Sequence, residues 1–285
     1  MEHFTVQPMN LTDLEIAAGW AAREGWNPGL HDSGIFYEVD PAGFFIGKLG
    51  NVPVASISAV RYGEAFGFIG FYIVAPEYRD HGYGGHLIQY AAKHLEGCRS
   101  VGLDGVEAQQ ANYARHGAKY AHDTIRFEGR GPGIEVPIPV GSVILPLADI
   151  PFETLLEYDR RHFPTNREDF LRAWIDQPDS LAVGIVSSGK LTGFGVRRRC
   201  HTGYKIAPLF ADEIDSASAL FAALRQGIGS GESLFLDVPE PNPHAMKLTS
   251  SQGMHPVFHT ARMYLGEDPE LPLHQIYGIT SFELG

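Results

Sequence analysis

Apolar positions in the first part of the chain switch between two periods. Leu11, Leu14, Ala18 and Ala21 recur near helical spacing, with Asp13 and Glu15 in the first turn, which predicts an amphipathic helix over 11–24 stopped by Gly25. Trp26-Asn27-Pro28-Gly29 then reads as a turn cluster. Shorter apolar runs follow at 44–49, 52–60 and 65–74, separated by Gly50-Asn51 and Gly63-Glu64, and together predict a meander of antiparallel strands. After Pro76 the period lengthens again. Leu87, Ile88, Ala91, Ala92 and Leu95 predict a helix over 84–95, followed by a short strand over 100–103 and a helix over 109–115 that Gly117 ends.

The second half repeats this style. Helices are predicted over 152–161, 167–175, 216–224 and 243–251, and strands over 181–186, 190–197 and 233–238. Between the halves, the stretch 129–141 is rich in Gly and Pro and places a boundary near residue 135. Ser100-Val101-Gly102-Leu103-Asp104 is followed by a helix and Gly117, and Ser233-Leu234-Phe235-Leu236-Asp237 by a helix and Gly253. Aspartate and glycine are 13 residues apart in the first unit and 16 in the second. An internal duplication is the economical reading, chance similarity of two αβ units the alternative.

Composition narrows the partners. With 34 acidic and 22 basic residues the formal net charge is -12, which disfavours nucleic acid or an anionic membrane as the main partner. Two cysteines, Cys98 and Cys200, supply neither a disulfide framework nor metal-ligand spacing, so free thiols and no metal are expected. Neither a signal segment nor an apolar run of membrane-spanning length is visible, and the cytoplasm is the expected location.

Candidate chemistry concentrates in one segment. The apolar strand ending at Ile73-Val74 runs through Arg79-Asp80-His81-Gly82-Tyr83-Gly84-Gly85 into the helix over 84–95. Glycines there permit close backbone approach, and the amides at the helix start, aided by its dipole, make an anion site suited to a pyrophosphate, with Arg79 as an added cation. Gly-Lys-Ser/Thr is absent, so this is not a nucleotide-hydrolase P-loop. The spacing is not that of a dinucleotide-binding fingerprint either.

Arg79-x-x-Gly82-x-Gly84 after an apolar strand resembles the coenzyme A pyrophosphate loop of the GCN5-related N-acetyltransferases. Tyr113, four residues before Gly117, matches the family's next motif. The likeness covers about residues 5–128; Gly105-Val106 stand where many members carry an Asn. The second half resembles a degenerate copy. Asn242 to Met254 follows the second motif with Thr249 in place of the Tyr, and the loop counterpart at 206–212 has acids and no glycines, a poor place for pyrophosphate. The resemblance implies a mixed α/β fold of two tandem domains, 1–135 catalytic and 136–285 degenerate, each a mostly antiparallel twisted sheet flanked by helices.

It also implies that acetyl-coenzyme A lies on Arg79–Gly85 and against the backbone of Ile73 and Val74, and that its acetyl group passes to a primary amine of a small molecule. Tyr113 is the implied general acid to sulfur; a packing tyrosine is the alternative. As base, Asp104 stands at a strand end, but the matching Asp237 favours a structural role. Glu38, Glu64 and His81 are weaker candidates, and a water chain can serve instead. By analogy with the family, acceptor choice falls to the loop after the first helix, where Trp26, Asn27 and Asp32 cluster; Asp32 can pair with a cationic amine and Trp26 supply an apolar wall, unless this is an ordinary surface turn. A non-catalytic acyl-coenzyme A sensor, another acyl group, a protein acceptor and a homodimer all stay open.

Overall fold

The computed structural model describes residues 3–285. The first half runs β1 (Phe4–Pro8), α1 (Leu11–Arg23), α2 (Asp32–Val39), β2 (Phe44–Leu49), β3 (Val52–Tyr62), β4 (Phe66–Val74), a 3-10 turn at Pro76–Tyr78, α3 (Tyr83–His94), β5 (Ser100–Gly105), α4 (Glu107–Arg115) and β6 (Lys119–Arg130). The second half runs β7 (Ser142–Pro146), α5 (Phe152–Asp159), α6 (Glu168–Ile175), β8 (Ser180–Ser187), β9 (Lys190–Arg199), β10 (Tyr204–Ala211), α7 (Ile214–Arg225), β11 (Ser233–Pro239), α8 (Pro243–Ser251), β12 (His255–Gly266) and β13 (Ile276–Gly278). Asn10 caps α1 by accepting from the Asp13 amide, while Asp13 accepts from the Asn10 amide.

The mixed α/β architecture and the mostly antiparallel strands agree with the sequence reading, but the two sheets are not separate. Twelve strands form one continuous sheet in the order β1-β2-β3-β4-β5-β12-β6-β11-β10-β9-β8-β7, with β13 attached to β10. Among the described residues, only β4/β5 and β10/β11 pair in parallel. The last long strand of each half has crossed over. β12 pairs with β5 of the first half, β6 pairs with β11 of the second, and β6 and β12 pair with each other at the centre.

Side-chain packing follows the exchange. The core beneath α1 and α2 joins Phe36, Phe44, Phe66 and Phe71 to Phe163, Phe170, Trp174 and Tyr264 from the second half. Trp174 stacks on Phe36 at 5.9 Å and donates its indole N–H to the Ala207 carbonyl at 2.9 Å. α3 packs Leu87, Ala91 and Leu95 on the opposite face, against Val54, Ile57 and Ala59 of β3.

In both halves the central parallel pair opens into a V. β4 and β5 are paired only from Phe66/Ser100 to Ile69/Leu103. The β3–β4 register slips between Ser56 and Ser58, next to Phe71, which has a φ of 45° and gives its carbonyl to the Ser56 hydroxyl at 2.7 Å. This bulge turns the end of β4 away from β5. β10 and β11 likewise pair only from Tyr204/Leu234 to Ile206/Leu236, and the β9–β10 register slips between Ile206 and Leu209. There the gap is filled. β13 pairs with β10 at Leu209 and Phe210, and the Ile279 amide donates to the Asp237 carbonyl at 2.9 Å.

Candidate active site

The open V between β4 and β5 leads from the glycine loop to the middle of the sheet. A groove of about 410 Å³ is lined by Glu24, Trp26, Tyr72, Ile73, Val74, the loop residues Tyr78–Asp80 and Gly82–Gly85, Val106 and Gln109, while the expected His81 stands outside it. It continues past Trp26, Tyr72, Val106 and Gln109 into a narrow slot of about 50 Å³, whose walls include Gly70, Phe71, Leu103, Asp104, Tyr113, Phe258, Thr260 and Phe282.

The loop is built by its glycines. Gly82 caps α3 with a φ of 81°, in the left-handed region that a side chain resists. A methyl on Gly84 would overlap the Tyr72 hydroxyl, so glycine lets α3 approach β4. Asp80 also has a left-handed φ, 66°, and the His81 ring nitrogen bonds to the Arg79 carbonyl at 2.7 Å. Gly85 donates its amide to the Gly82 carbonyl at 3.1 Å, while the amides of Tyr83 and Gly84, at the start of α3 on the groove wall, precede the first i−4 acceptors of the helix. The charged side chains on its walls are one cation, Arg79, against two carboxylates, Glu24 and Asp80, so attraction for a phosphate rests mainly on the amides.

Arg79 is not idle. Its Nη2 donates to Glu24 at 2.6 Å and its Nε to the Val74 carbonyl at 3.0 Å. The Glu24 pair is half-exposed and hence weak, easily exchanged for a phosphate. One lone pair of the Val74 carbonyl is thereby occupied. Ala75 donates to the Val54 carbonyl, and Ile73, two residues back and in register with Ser56, turns its backbone groups to β3 as well, so of the two expected residues only Val74, through its amide, is open to a bound chain. Glycine loop, groove and unpaired strand edge together fit a pyrophosphate with a long thin arm.

Tyr113 reaches the inner end of the groove from α4. A Cβ on Gly105 would touch its ring at 3.0 Å, so Gly105 makes room for the phenol. The ring centroid is 6.3 Å from that of Tyr72. Burial pushes the phenol pKa up for both residues, so both hold their protons at neutral pH.

Of the three acceptor candidates, the structure brings only Trp26 to the cleft. Asp32 is buried at the junction of the halves. Its carboxylate takes Arg198 Nε at 2.9 Å, Arg198 Nη2 at 3.1 Å and the Gly29 amide at 2.7 Å, which leaves nothing for an amine. Asn27 ties the same junction, its amide bonding both the carbonyl and the N–H of Thr202. Beyond Trp26, the loop after α1 thus pins the two halves together through Asn27 and Asp32. Asp104 is likewise committed. Arg262 bonds both its oxygens, at 2.9 and 2.8 Å, and Arg126 does the same to Asp237 at 2.6 and 2.8 Å.

Sequence reasoning missed Phe258, Thr260 and Phe282, because β12 and the tail reach the first half's cleft only through the strand exchange. A signal was present: Thr124-Ile125-Arg126 and Thr260-Ala261-Arg262 repeat the same pattern in the two exchanged strands.

No group of three or more His, Cys, Asp or Glu side chains among the described residues is arranged to hold a metal ion. No helix among them is long and apolar enough to cross a membrane.

Comparison with known proteins agrees with this geometry. Residues 11–118 match the acetyltransferase (GNAT) family, and residues 155–278 match an acetyltransferase (GNAT) domain. A holothin acyltransferase from Pseudoalteromonas sp. (strain SANK 73390) is 31% identical over 283 residues, covering 99% of this chain and 95% of that protein. Among solved structures, a putative acetyltransferase from Pyrococcus horikoshii superposes with a TM-score of 0.82 at 22% identity, covering 100% of this chain and 97% of the other. A tandem GNAT protein from the clavulanic acid biosynthesis pathway does so with a TM-score of 0.65 at 13% identity, covering 93% and 100%. With both halves matched and a relative aligned over nearly its whole length, this chain belongs to the GCN5-related N-acetyltransferase (GNAT) family, in its tandem form.

Proposed function

We propose that the chain transfers an acetyl group from acetyl-coenzyme A to a primary amine of a small molecule, with the donor held by the half up to residue 135. The observation that carries this reading is the open V of β4 and β5, where the groove at the glycine loop and the slot at Tyr113 share Trp26, Tyr72, Val106 and Gln109 as walls. Amides of the loop and the start of α3 would take the pyrophosphate, and the Val74 amide the arm. An amide on the unpaired edge of β4 would polarise the thioester carbonyl. The half from 136 onward binds no donor in this scheme; it contributes walls to the cleft.

The amine nitrogen attacks the carbonyl, the carbon–sulfur bond breaks, and the sulfur takes the Tyr113 proton. A phenol with a raised pKa is a weak acid, so this transfer is favourable only if the phenolate regains a proton from the nitrogen as the amide forms. The name of the 31% identical relative supports acyl transfer and leaves the acyl group open.

Thiol release from acetyl-coenzyme A in the presence of an amine panel tests the activity. Tyr113→Phe should lower kcat by about 100-fold or more and leave the Kd for acetyl-coenzyme A nearly unchanged. Unaltered kcat would remove Tyr113 from the acid role, and tight donor binding with no transfer to any amine would favour a sensor.

A further inference from the structure

The acceptor end of the slot is furnished in an unusual way for a site meant to hold an ammonium ion. Phe258 and Phe282 meet edge to face at 5.9 Å. The Arg126 guanidinium lies against both rings, at 5.6 and 4.9 Å, and donates to the Trp26 carbonyl at 2.6 Å, so one buried cation fixes three walls. Trp26, Phe71 and Leu103 add apolar surface.

Gln109, Tyr72, Tyr113, Asp104 and Thr260 bring polar side-chain atoms to the walls. Thr260 lines the slot, is 2% exposed, and its hydroxyl has no hydrogen-bond partner. A buried hydroxyl without a partner loses its solvation for nothing unless a ligand or water meets it. The titratable groups around the slot are Asp104 on β5, locked to Arg262 of β12; Tyr72 on β4; Tyr113 on α4; and Arg126 of β6 behind the phenyl rings. Glu24 and Asp80 lie toward the loop end of the groove. Glu283 follows Phe282 but does not line the slot; its two carboxylate oxygens are buried without a hydrogen-bond partner, and burial raises its pKa, which favours the neutral acid. No wall of the slot carries a histidine or an unpaired carboxylate.

Resting on the transferase reading above, we propose that the slot selects a compact, weakly basic amine, one already neutral at pH 7 such as an arylamine, which Thr260 positions by a hydrogen bond. Two features of the walls lead there. An ammonium ion entering the slot would meet no free anion, and the faces of Phe258 and Phe282 are already engaged by the Arg126 guanidinium behind them, so the aromatic walls would offset only part of its desolvation. Nor is there a base to remove its proton before attack. A neutral amine avoids both penalties, and its nitrogen needs to lose a proton only after the carbon–nitrogen bond forms, when that proton replaces the one Tyr113 gives to sulfur. At about 50 Å³ the slot is smaller than the ~150 Å³ cavity that holds a benzene ring, so it takes the amine-bearing edge, with the remainder of the acceptor extending past Phe258.

The test is kcat/KM between pH 6 and 9 for size-matched anilines and alkylamines with saturating acetyl-coenzyme A. Anilines should be at least tenfold better at pH 7 and flat with pH. Alkylamines should gain about tenfold per pH unit, tracking their own neutral fraction. Thr260→Val should raise KM for the aniline several-fold, with little change in kcat or in KM for acetyl-coenzyme A. Preference for alkylamines at pH 7 would overturn the proposal, as would a pH limb for anilines that Glu283→Gln abolishes, which would make Glu283 a base. A Thr260→Val effect confined to the acyl-chain length accepted would overturn the acceptor assignment. Absence of transfer to every amine defeats the transferase reading instead, and calorimetry with coenzyme A shows separately whether the donor site is intact.

Discussion

Asp104 and Arg262 are 158 residues apart in sequence and face each other across neighbouring strands, carboxylate to guanidinium in a bidentate pair. Arg126 and Asp237 form the same pair with the halves interchanged. Thr124 and Thr260 are opposite each other in the central β6–β12 ladder, between the two pairs. The duplicated halves have therefore kept a pseudo-twofold relation, and each half's aspartate is neutralised by the other half's strand. The ion pairs clasp the exchange as well as removing both aspartates from chemistry.

Asp104→Asn should consequently act on stability first. Removing one partner of a buried pair leaves the other charge uncompensated, at a cost of about 3–5 kcal/mol. Replacing both partners, as Asp104→Leu with Arg262→Met, should recover most of that loss. Urea unfolding of the two variants checks the order. A fully stable Asp104→Asn with a large loss of kcat would instead make Asp104 a base.

One molecule of coenzyme A should bind per chain. The second half has its own V, but β13 hydrogen-bonds along β10 where a cofactor arm would lie, and Thr249 stands where a tyrosine would be. The Thr249 hydroxyl already donates to the Met246 carbonyl at 2.9 Å. Calorimetry with coenzyme A measures the stoichiometry directly; two sites of similar affinity would mean that β13 yields to the ligand.

Much of this was legible in sequence. Glycines at 82, 84 and 85, the strand before them and Tyr113 fall close together in the chain, so local pattern suffices to assemble a donor cleft. The duplicated Leu-Asp units were visible for the same reason. What sequence could not show is long-range pairing. No strand was predicted over 119–130 or 255–266, and a period-two run would in any case state that a strand exists, not which neighbour it takes, so the crossing of β6 and β12 was hidden, and with it the acceptor walls Phe258, Thr260 and Phe282. Asp32 was misread because an acid beside a turn resembles a surface group until Arg198, 166 residues away, is found against it. β13, only three residues long, is too short to carry a pattern.

Gly84→Ala should weaken coenzyme A binding by about tenfold, since the new methyl must displace the Tyr72 hydroxyl and shift the start of α3. The cause can be isolated. Tyr72→Phe removes the obstructing oxygen, so the double variant Gly84→Ala with Tyr72→Phe should bind better than Gly84→Ala alone. Calorimetry on the three variants gives the coupling; strict additivity would place the glycine requirement elsewhere, in direct contact with the ligand.

Acid should loosen the exchanged strands through His122. This histidine stands opposite Arg262 in the β6–β12 ladder and is buried. Burial, and then the Arg262 guanidinium, lower its pKa from 6.5 to about 3. The unfolded chain therefore binds a proton that the folded chain refuses. Stability is full above pH 6.5 and declines as the pH falls toward 3, by up to about 1.4 kcal/mol per pH unit for this one group. Burial lowers the pKa of His162 as well, which adds a slope of the same sign. Phe258 holds the position of His122 in the second exchanged strand, so His122→Phe is a substitution the fold already tolerates at its counterpart. It should flatten the dependence of the urea midpoint on pH between 7 and 5 without abolishing it, His162 supplying the remainder. An unchanged slope in His122→Phe would mean that the imidazole is protonated in the folded protein and that Arg262 is screened from it.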